Sequence, residues 1–376
     1  MPRIPMVDLV GQYHNIKAEV DKAIEEVMET GTFIKGPAVK QFQANLEKYL
    51  DVKHVIPCGN GTDALQISMM ALDLQPGDEV ITPSFTFIAT AEVIALLGLK
   101  PVFVDVDPDT FTLDVDEVEK NINANTKAIV PVHLFGQCAD MNRIMELAEK
   151  HNLSVIEDTC QAIGAEYTFK DGTKKQAGTI GDLGSMSFFP SKNLGTFGDG
   201  GAIFTNNDDL AEKCRSITNH GMKRRYYHDD IGVNSRLDSM QAAILDVKLK
   251  HLDTYIASRQ KAAEYYNQAF KDIQQLQTPV VHPDTTHVYH QYTMVTRDFD
   301  RDKLREHLAG KDIASAVYYP VPIHLQNAYQ HLGYKKGDLP VTEELSKQVI
   351  SLPIHTEMTK EIQDEIIHAV RQFLKA

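Results

Sequence analysis

The sequence predicts an α/β protein: a large domain on a mostly parallel seven-stranded sheet, followed by a smaller α+β domain. Three observations carry this reading. Seven short apolar runs (HVIPC, DEVITPS, KPVFVDV, TKAIVPVHL, LSVIEDT, SMSFF and GGAIFTN) alternate with helical segments such as TDALQISMMALDL and MNRIMELAEKHN, the pattern of strands covered by helices on both faces. After GVNSRLD the strand signals thin out. A long helical stretch runs from about Ser239 to Ile273, and the rest holds two strand runs (VYHQYTMVT, ASAVYYP) and the helices DRDKLREHLAG and TKEIQDEIIHAVRQFLK. Finally, 376 residues exceed what one core usually holds, and 43% apolar with 24% charged residues is a globular composition. The boundary is expected near residue 245, inside the long helix, giving domains 1–245 and 246–376.

The elements follow in order. Ile16, Val20, Ala23, Ile24, Val27 and Met28 recur at helical spacing, so a first amphipathic helix should end near Gly31. A second follows Gly36-Pro37, with Val39, Phe42, Leu46 and Leu50 on one face. The strand HVIPC ends in Gly59-Asn60-Gly61-Thr62-Asp63-Ala64, which opens a helix. Glycines there let the backbone approach an anion, and the first amides of a helix are unpaired and positive. Thr62 and Asp63 are therefore candidate phosphate contacts. The same string fits GxGxxA, a dinucleotide fingerprint, but Asp78 and Glu79 precede the next strand instead of ending it, and two helices come first.

In open α/β sheets ligands sit at the carboxyl ends of the strands. In PSFTFIAT, Phe85 and Phe87 alternate with hydroxyl residues; one ring could stack on a flat cofactor, although a phenylalanine at a strand end is otherwise core. LSVIED closes on Glu157 and Asp158, which face opposite ways, so only one meets the site. A carboxylate there would keep a protonated pyridine charged; the alternative is a solvated strand-end acid. Gln161 could reach a ring hydroxyl. In SMSFFPSKNLGTFGDGGAIFTN, Ser187 could donate to a phosphate while Lys192 reaches an aldehyde carbon, the alternative being a surface-loop lysine. An amine that forms a Schiff base needs partial desolvation, and an aldehyde electron sink needs an acid on its ring nitrogen. Lys192 and Asp158 supply both, which reads as a pyridoxal phosphate site.

Other classes are disfavoured. A net charge of −14 lacks the basic excess of a duplex nucleic-acid binder. The amino terminus has no signal-length apolar core and no apolar run is long enough for a bilayer, so a soluble, cytoplasmic protein without membrane partners is expected. Four cysteines form neither a disulfide framework nor a zinc pattern. His287 and His290 in HVYHQY read as exposed loop or strand histidines, and no metal is expected.

With these motifs together, the chain resembles the DegT/DnrJ/EryC1/StrS family of sugar aminotransferases, fold-type I pyridoxal phosphate enzymes, over almost its whole length. The resemblance implies phosphate contacts from Thr62 and Asp63 (GNGTDAL) and Ser187 (SFFPSK), and Phe87 (PSFTF) stacked on the ring. It implies Asp158 at the pyridine nitrogen and Gln161 near the ring oxygen (EDTCQA), and Lys192 as the Schiff-base lysine. GVNSRLD resembles an element whose asparagine crosses to the neighbouring subunit's phosphate, so Asn234 implies a homodimer with shared active sites. CGNGTDALQI, FGQCAD, GDGGAIFTN and GVNSRLD are also similar to the branch that aminates the 3-keto group of UDP-N-acetylglucosaminuronate for surface polysaccharides, with glutamate as donor. That branch usually reads HYP where this chain has Tyr318-Tyr319-Pro320 before VPIHLQ. Tyr318, Tyr319 and His324 are thus candidate substrate contacts, with the histidine contact of the branch lost or replaced. Arg236 is a candidate for the carboxylates of glutamate and the uronate in turn, or else an interface salt bridge. Arg224 and Arg225 are candidate diphosphate contacts or solvated charges. Another ketosugar substrate is the alternative. A sugar dehydratase of the same family has histidine in place of Lys192, and a non-catalytic regulator would need a DNA-binding element that the sequence does not display.

Overall fold

The structure, a computed structural model, describes residues 3–375. Helix α1 (Leu9–Thr30) is capped by the Asp8 side chain and stops at Gly31, whose φ of 62° is left-handed backbone that glycine adopts without strain. Ile16, Val20 and Val27 are buried as the spacing predicts, but Met28 is 57% exposed, on the edge of the apolar stripe. Helix α2 (Pro37–Leu50) starts on its proline, which lacks an amide that would go unpaired there, and buries Phe42, Leu46 and Leu50.

The large domain then alternates β1 (His54–Cys58), α3 (Gly61–Ala71), β2 (Glu79–Pro83), α4 (Ala89–Leu96), β3 (Lys100–Val104), α5 (Val115–Asn121), β4 (Thr126–Ile129), α6 (Met141–His151) and β5 (Ser154–Asp158). A small hairpin, β6 (Glu166–Thr168) and β7 (Lys174–Gln176), precedes β8 (Leu183–Ser187) and β9 (Gly201–Thr205). The seven strands lie in the order β1-β9-β8-β5-β4-β2-β3. Only β9 runs against its neighbours, so the mostly parallel sheet is as expected.

Strand alternation sends successive residues to opposite cores. Ile81, Ile129 and Val155 pack with α2 and α6, through Phe42, Leu46 and Ile144. Val80, Ala128 and Ile156 pack with α3, α4 and α7 (Asp208–Ile217), through Leu65, Ile94 and Ala211. Extending that alternation along β5 puts Glu157 with the first layer and Asp158 with the second. A second hairpin, β10 (Met222–Arg224) and β11 (Tyr227–His228), follows α7.

The long helical stretch is two helices, α8 (Ser239–Leu249) and α9 (Leu252–Phe270), separated by Lys250 and His251. Both intervening residues keep right-handed helical backbone, so the apolar period runs through the break and conceals it. Leu252 and Ile256 join the large-domain core, whereas Ala262, Ala263, Tyr266 and Phe270 pack in a second core with β13 and β14. That unit has a three-stranded antiparallel sheet of β12 (Leu276–Gln277), β13 (Tyr292–Thr296) and β14 (Val349–Leu352). Helices α10 (Arg301–Ala309) and α12 (Lys360–Leu374) flank its core, and α11 (Pro340–Gln348) leads into β14. Ile4 joins this core too, its amide bonded to the Asp312 carbonyl. The run ASAVYYP is not a strand. Only Ala316 pairs, in an isolated bridge to Ser351, because the tyrosines that follow turn towards a cavity in the large domain. No helix among the described residues is long and apolar enough to cross a membrane.

Candidate active site

A cavity of about 750 Å³ opens at the carboxyl ends of β5 and β8. Thr62, Asp63, Phe87, Asp158, Gln161, Ser187, Lys192, Tyr318 and Tyr319 all line it. Asn234, Arg236 and His324 do not.

Asp158 is 6% exposed, its Oδ2 accepting from Thr90 Oγ1 at 2.8 Å and its Oδ1 from the Cys160 amide at 3.2 Å. Glu157 turns away, as alternation requires, and is fully buried. It accepts from His133 Nε2 at 2.8 Å and from the amides of Gly178, Ile180 and Gly181. The open choice between the two acids is thus decided by partners: Glu157 braces the fold, and Asp158 faces the cavity. The phenylalanines divide in the same way. Phe85 is 1% exposed against Phe111 and Phe135, whereas Phe87 is 55% exposed on the cavity wall, 6.4 Å from the Tyr319 ring.

Lys192 follows β8 and is half-buried. Burial lowers its pKa from the usual lysine value, and the nearby Cys160 and Asp158 act in the opposite direction without cancelling it. The amine is therefore closer to its neutral, nucleophilic form than a surface lysine.

The anion cradle is a close approach between α3 and β8. A side chain on Gly61 would place its Cβ 2.7 Å from Ser187 Cβ and 3.0 Å from Cys160 Sγ, so only glycine lets the two elements meet here. Asn60 caps α3 by accepting from the Asp63 amide at 2.8 Å. The amides of Gly61 and Thr62 precede the first intrahelical bond and point off the helix end. Ser187 Oγ accepts from the Phe189 amide at 3.3 Å, which leaves the hydroxyl hydrogen to donate.

Asp63 departs from its expected role. Its amide belongs to the Asn60 cap, and its carboxylate accepts from Ser235 Oγ at 2.6 Å, while Ser235 Oγ accepts from the Gly59 amide at 2.9 Å. Asp63 thereby ties GVNSRLD to the start of α3, and a carboxylate so placed repels a phosphate. Asn234 is exposed, and Arg236 is half-buried beside Lys35, whose pKa burial and the Arg236 charge both lower. His324 is 1% exposed, with Nδ1 2.7 Å from Ser84 Oγ and Nε2 3.3 Å from Glu343 Oε1. Both ring nitrogens are engaged inside the protein, so the expected substrate contact is corrected to an internal one.

Gln161 Oε1 accepts from the Phe135 amide at 2.8 Å, and its Nε2 donates to the Tyr319 hydroxyl at 3.2 Å. Tyr319 keeps its own hydrogen to donate, and burial raises its pKa. The sequence reading passed over Thr90 and took His287 and His290 as exposed, whereas both histidines are buried, at 5% and 6% exposed. Thr90 is hidden inside an apolar helix. His290 has an unpartnered Nδ1, and burial, reinforced by the Lys192 and Arg259 charges, holds its pKa well below the usual histidine value. The HVYHQY run could have flagged it, but nothing in sequence showed that it faces the lysine.

These groups fit pyridoxal phosphate: a glycine-gated cradle of helix amides and a serine hydroxyl, a buried carboxylate held by two donors, an open aromatic face and one partly desolvated amine. Such a set defines an aldehyde-cofactor enzyme. The model of the DegT/DnrJ/EryC1/StrS aminotransferase family matches residues 14–371, and the chain belongs to that family.

Among its relatives, a Geobacillus stearothermophilus protein named pleiotropic regulatory protein is 47% identical over 374 residues, 99% of each chain. The UDP-2-acetamido-2-deoxy-3-oxo-D-glucuronate aminotransferase of Pseudomonas aeruginosa is 46% identical over 352 residues, 94% of this chain and 95% of that one. The crystal structure of S. venezuelae DesV in complex with a ketimine intermediate superposes with a TM-score of 0.95 at 40% identity, over 100% of both chains. That of NtdA from Bacillus subtilis with bound cofactor PMP gives 0.90 at 32% identity, over 100% of this chain and 86% of that one. The chain is a pyridoxal phosphate-dependent sugar aminotransferase.

Proposed function

We propose that the chain moves an amino group from glutamate to a nucleotide-linked ketosugar, with UDP-3-keto-N-acetylglucosaminuronate as the preferred acceptor. The observation that carries the chemistry is the shared cavity of a partly desolvated Lys192 and a buried, doubly hydrogen-bonded Asp158. The acceptor rests on the similarity to the Pseudomonas aeruginosa enzyme.

Pyridoxal phosphate bound here supplies an electron sink that makes a neighbouring carbon acid. Gly61 and Thr62 amides with the Ser187 hydroxyl would hold its phosphate, Phe87 would cover one ring face, and Asp158 would meet the pyridine nitrogen. Lys192 Nζ, its pKa lowered by burial, would be the base that takes the proton from the α carbon of the amino donor. One amine serving donor and acceptor in turn predicts ping-pong kinetics.

The homodimer with shared sites belongs to the same proposal. Among the described residues that line the cavity, Lys192 is the only lysine or arginine, beside Asp63, Asp158 and Asp199. Glutamate brings two carboxylates and the nucleotide sugar a diphosphate, so further positive charge is expected from beyond this wall. Exposed Asn234 and the exposed arginines of the β10–β11 hairpin, Arg224 and Arg225, are candidates from a second copy. Arg236 would serve a carboxylate only across such an interface. We place the domain junction within α9, between Ile256 and Ala262 where the helix passes from one core to the other, later than the expected residue 245, and the reaction in the cytoplasm.

Borohydride reduction of the holoenzyme followed by peptide mapping tests the reading. A phosphopyridoxyl group on Lys192, and a visible absorption band that shifts on adding glutamate, are the expected results. Absence of the adduct would sink the enzyme assignment and favour a regulatory role.

A further inference from the structure

His324 belongs to a buried strut that ends at the cavity's aromatic wall. Ser84 directly precedes Phe85-Thr86-Phe87 and is gripped three times by the distant Ile323–His324 segment. The Ile323 amide donates to the Ser84 carbonyl at 3.1 Å, the His324 amide donates to Ser84 Oγ at 3.1 Å, and His324 Nδ1 lies 2.7 Å from the same Oγ. Because Oγ already accepts the His324 amide, its own hydrogen is free for Nδ1. Nε2 then carries the ring hydrogen and points it at Glu343 Oε1, 3.3 Å away. Glu343 sits in the first turn of α11 and also accepts from the Gly337 amide at 2.6 Å. The start of α11 is itself fixed by Asp105, which accepts from the amides of Val341 at 2.8 Å and Thr342 at 2.7 Å. Every member is buried: Ser84 and His324 are 1% exposed and Glu343 is 7%.

The strut matters because Phe87 has little packing of its own. Its ring is more than half exposed, and its position is set by the backbone that Phe85 holds on the core side and Ser84 on the other. We infer that His324 is a positioning residue for the cofactor face: through Ser84 it fixes the loop that presents Phe87, and it makes no contact with the nucleotide sugar. The inference rests on the pyridoxal phosphate reading above.

Apo-protein is titrated with pyridoxal phosphate, following affinity and the circular dichroism that the bound cofactor acquires, for wild type, Ser84→Ala, His324→Phe, the double variant and His324→Asn. Ser84→Ala and His324→Phe are each expected to weaken affinity about tenfold and flatten the induced signal. The double variant should lose no more than either alone, since both cut the same strut. His324→Asn, whose amide oxygen can still accept from Ser84, should regain most of the loss. The inference is overturned if folded Ser84→Ala apo-protein binds with wild-type affinity and signal, or if the two losses multiply. It also falls if His324→Phe raises only the nucleotide-sugar KM, which would return His324 to the substrate. Ser84→Ala decides the matter should His324→Phe fold poorly. A wild-type protein that does not take up the cofactor overturns the functional proposal, and this inference with it.

Discussion

Asp158 and Lys192 meet in one cavity because the strands that lead to them are hydrogen-bonded neighbours, with Asp158 paired to Ser185 in parallel register and Lys192 in the loop after that second strand. The acid is fixed on a central strand and the amine on a loop. On the proposed reading, the strand-borne acid would hold the cofactor ring and the loop-borne amine would meet its aldehyde carbon.

Asp158→Asn removes the charge that would sit against a pyridinium. Transamination should fall by about a hundredfold or more, with the protein still folded. Thr90→Val deletes only one of the two bonds to the carboxylate and should cost about tenfold. Single-turnover rates with glutamate check both, and equal losses for the two variants would contradict the ranking.

Gly61→Ala pushes a methyl group into Ser187 and Cys160. We expect a stability loss of about 1–3 kcal/mol from the forced separation of α3 and β8, with weaker cofactor retention alongside. Thermal melting of the apo-protein and cofactor titration measure the two effects independently.

Lys248 on α8 is 1% exposed and donates to the Gly195 carbonyl at 2.5 Å, in the loop after Lys192. Burial, helped by the Arg259 charge, pushes its pKa down to about 8 from 10.5. Between those values the unfolded chain holds more protons at this site than the folded one, so its contribution raises stability as pH increases through that window. Wild type should gain about 1–2 kcal/mol relative to Lys248→Met between pH 7.5 and 9.5. Urea unfolding at the two pH values reads this difference, and parallel pH dependences for the two proteins would exclude it.

If Asn234 serves the opposite subunit, Lys192→Ala and Asn234→Ala proteins, each nearly inactive, should recover activity when unfolded together and refolded. One hybrid site then holds an intact lysine and an intact asparagine. No recovery in a mixture shown to contain hybrids would place Asn234 in its own chain's site.

The residue types and their order announced the cofactor before any coordinates. Strand alternation in the sequence said that Glu157 and Asp158 part ways, and the lysine beside a glycine-rich loop offered the candidate covalent partner. Local patterns of this kind survive folding because a strand's period of two and a helix's free first amides are properties of the backbone itself. What sequence left open depended on contacts between distant segments. Phe85 and Phe87 are indistinguishable in PSFTF until Phe111 and Phe135 claim one of them. Asp63 looked like a phosphate ligand until Ser235 engaged it. His324 looked like a substrate contact until Ser84 and Glu343 took both its nitrogens. In each case the deciding partner is far away in the chain. A side chain's free hydrogen-bonding capacity is what remains after the fold has used its share, so only the assembled structure could settle those roles.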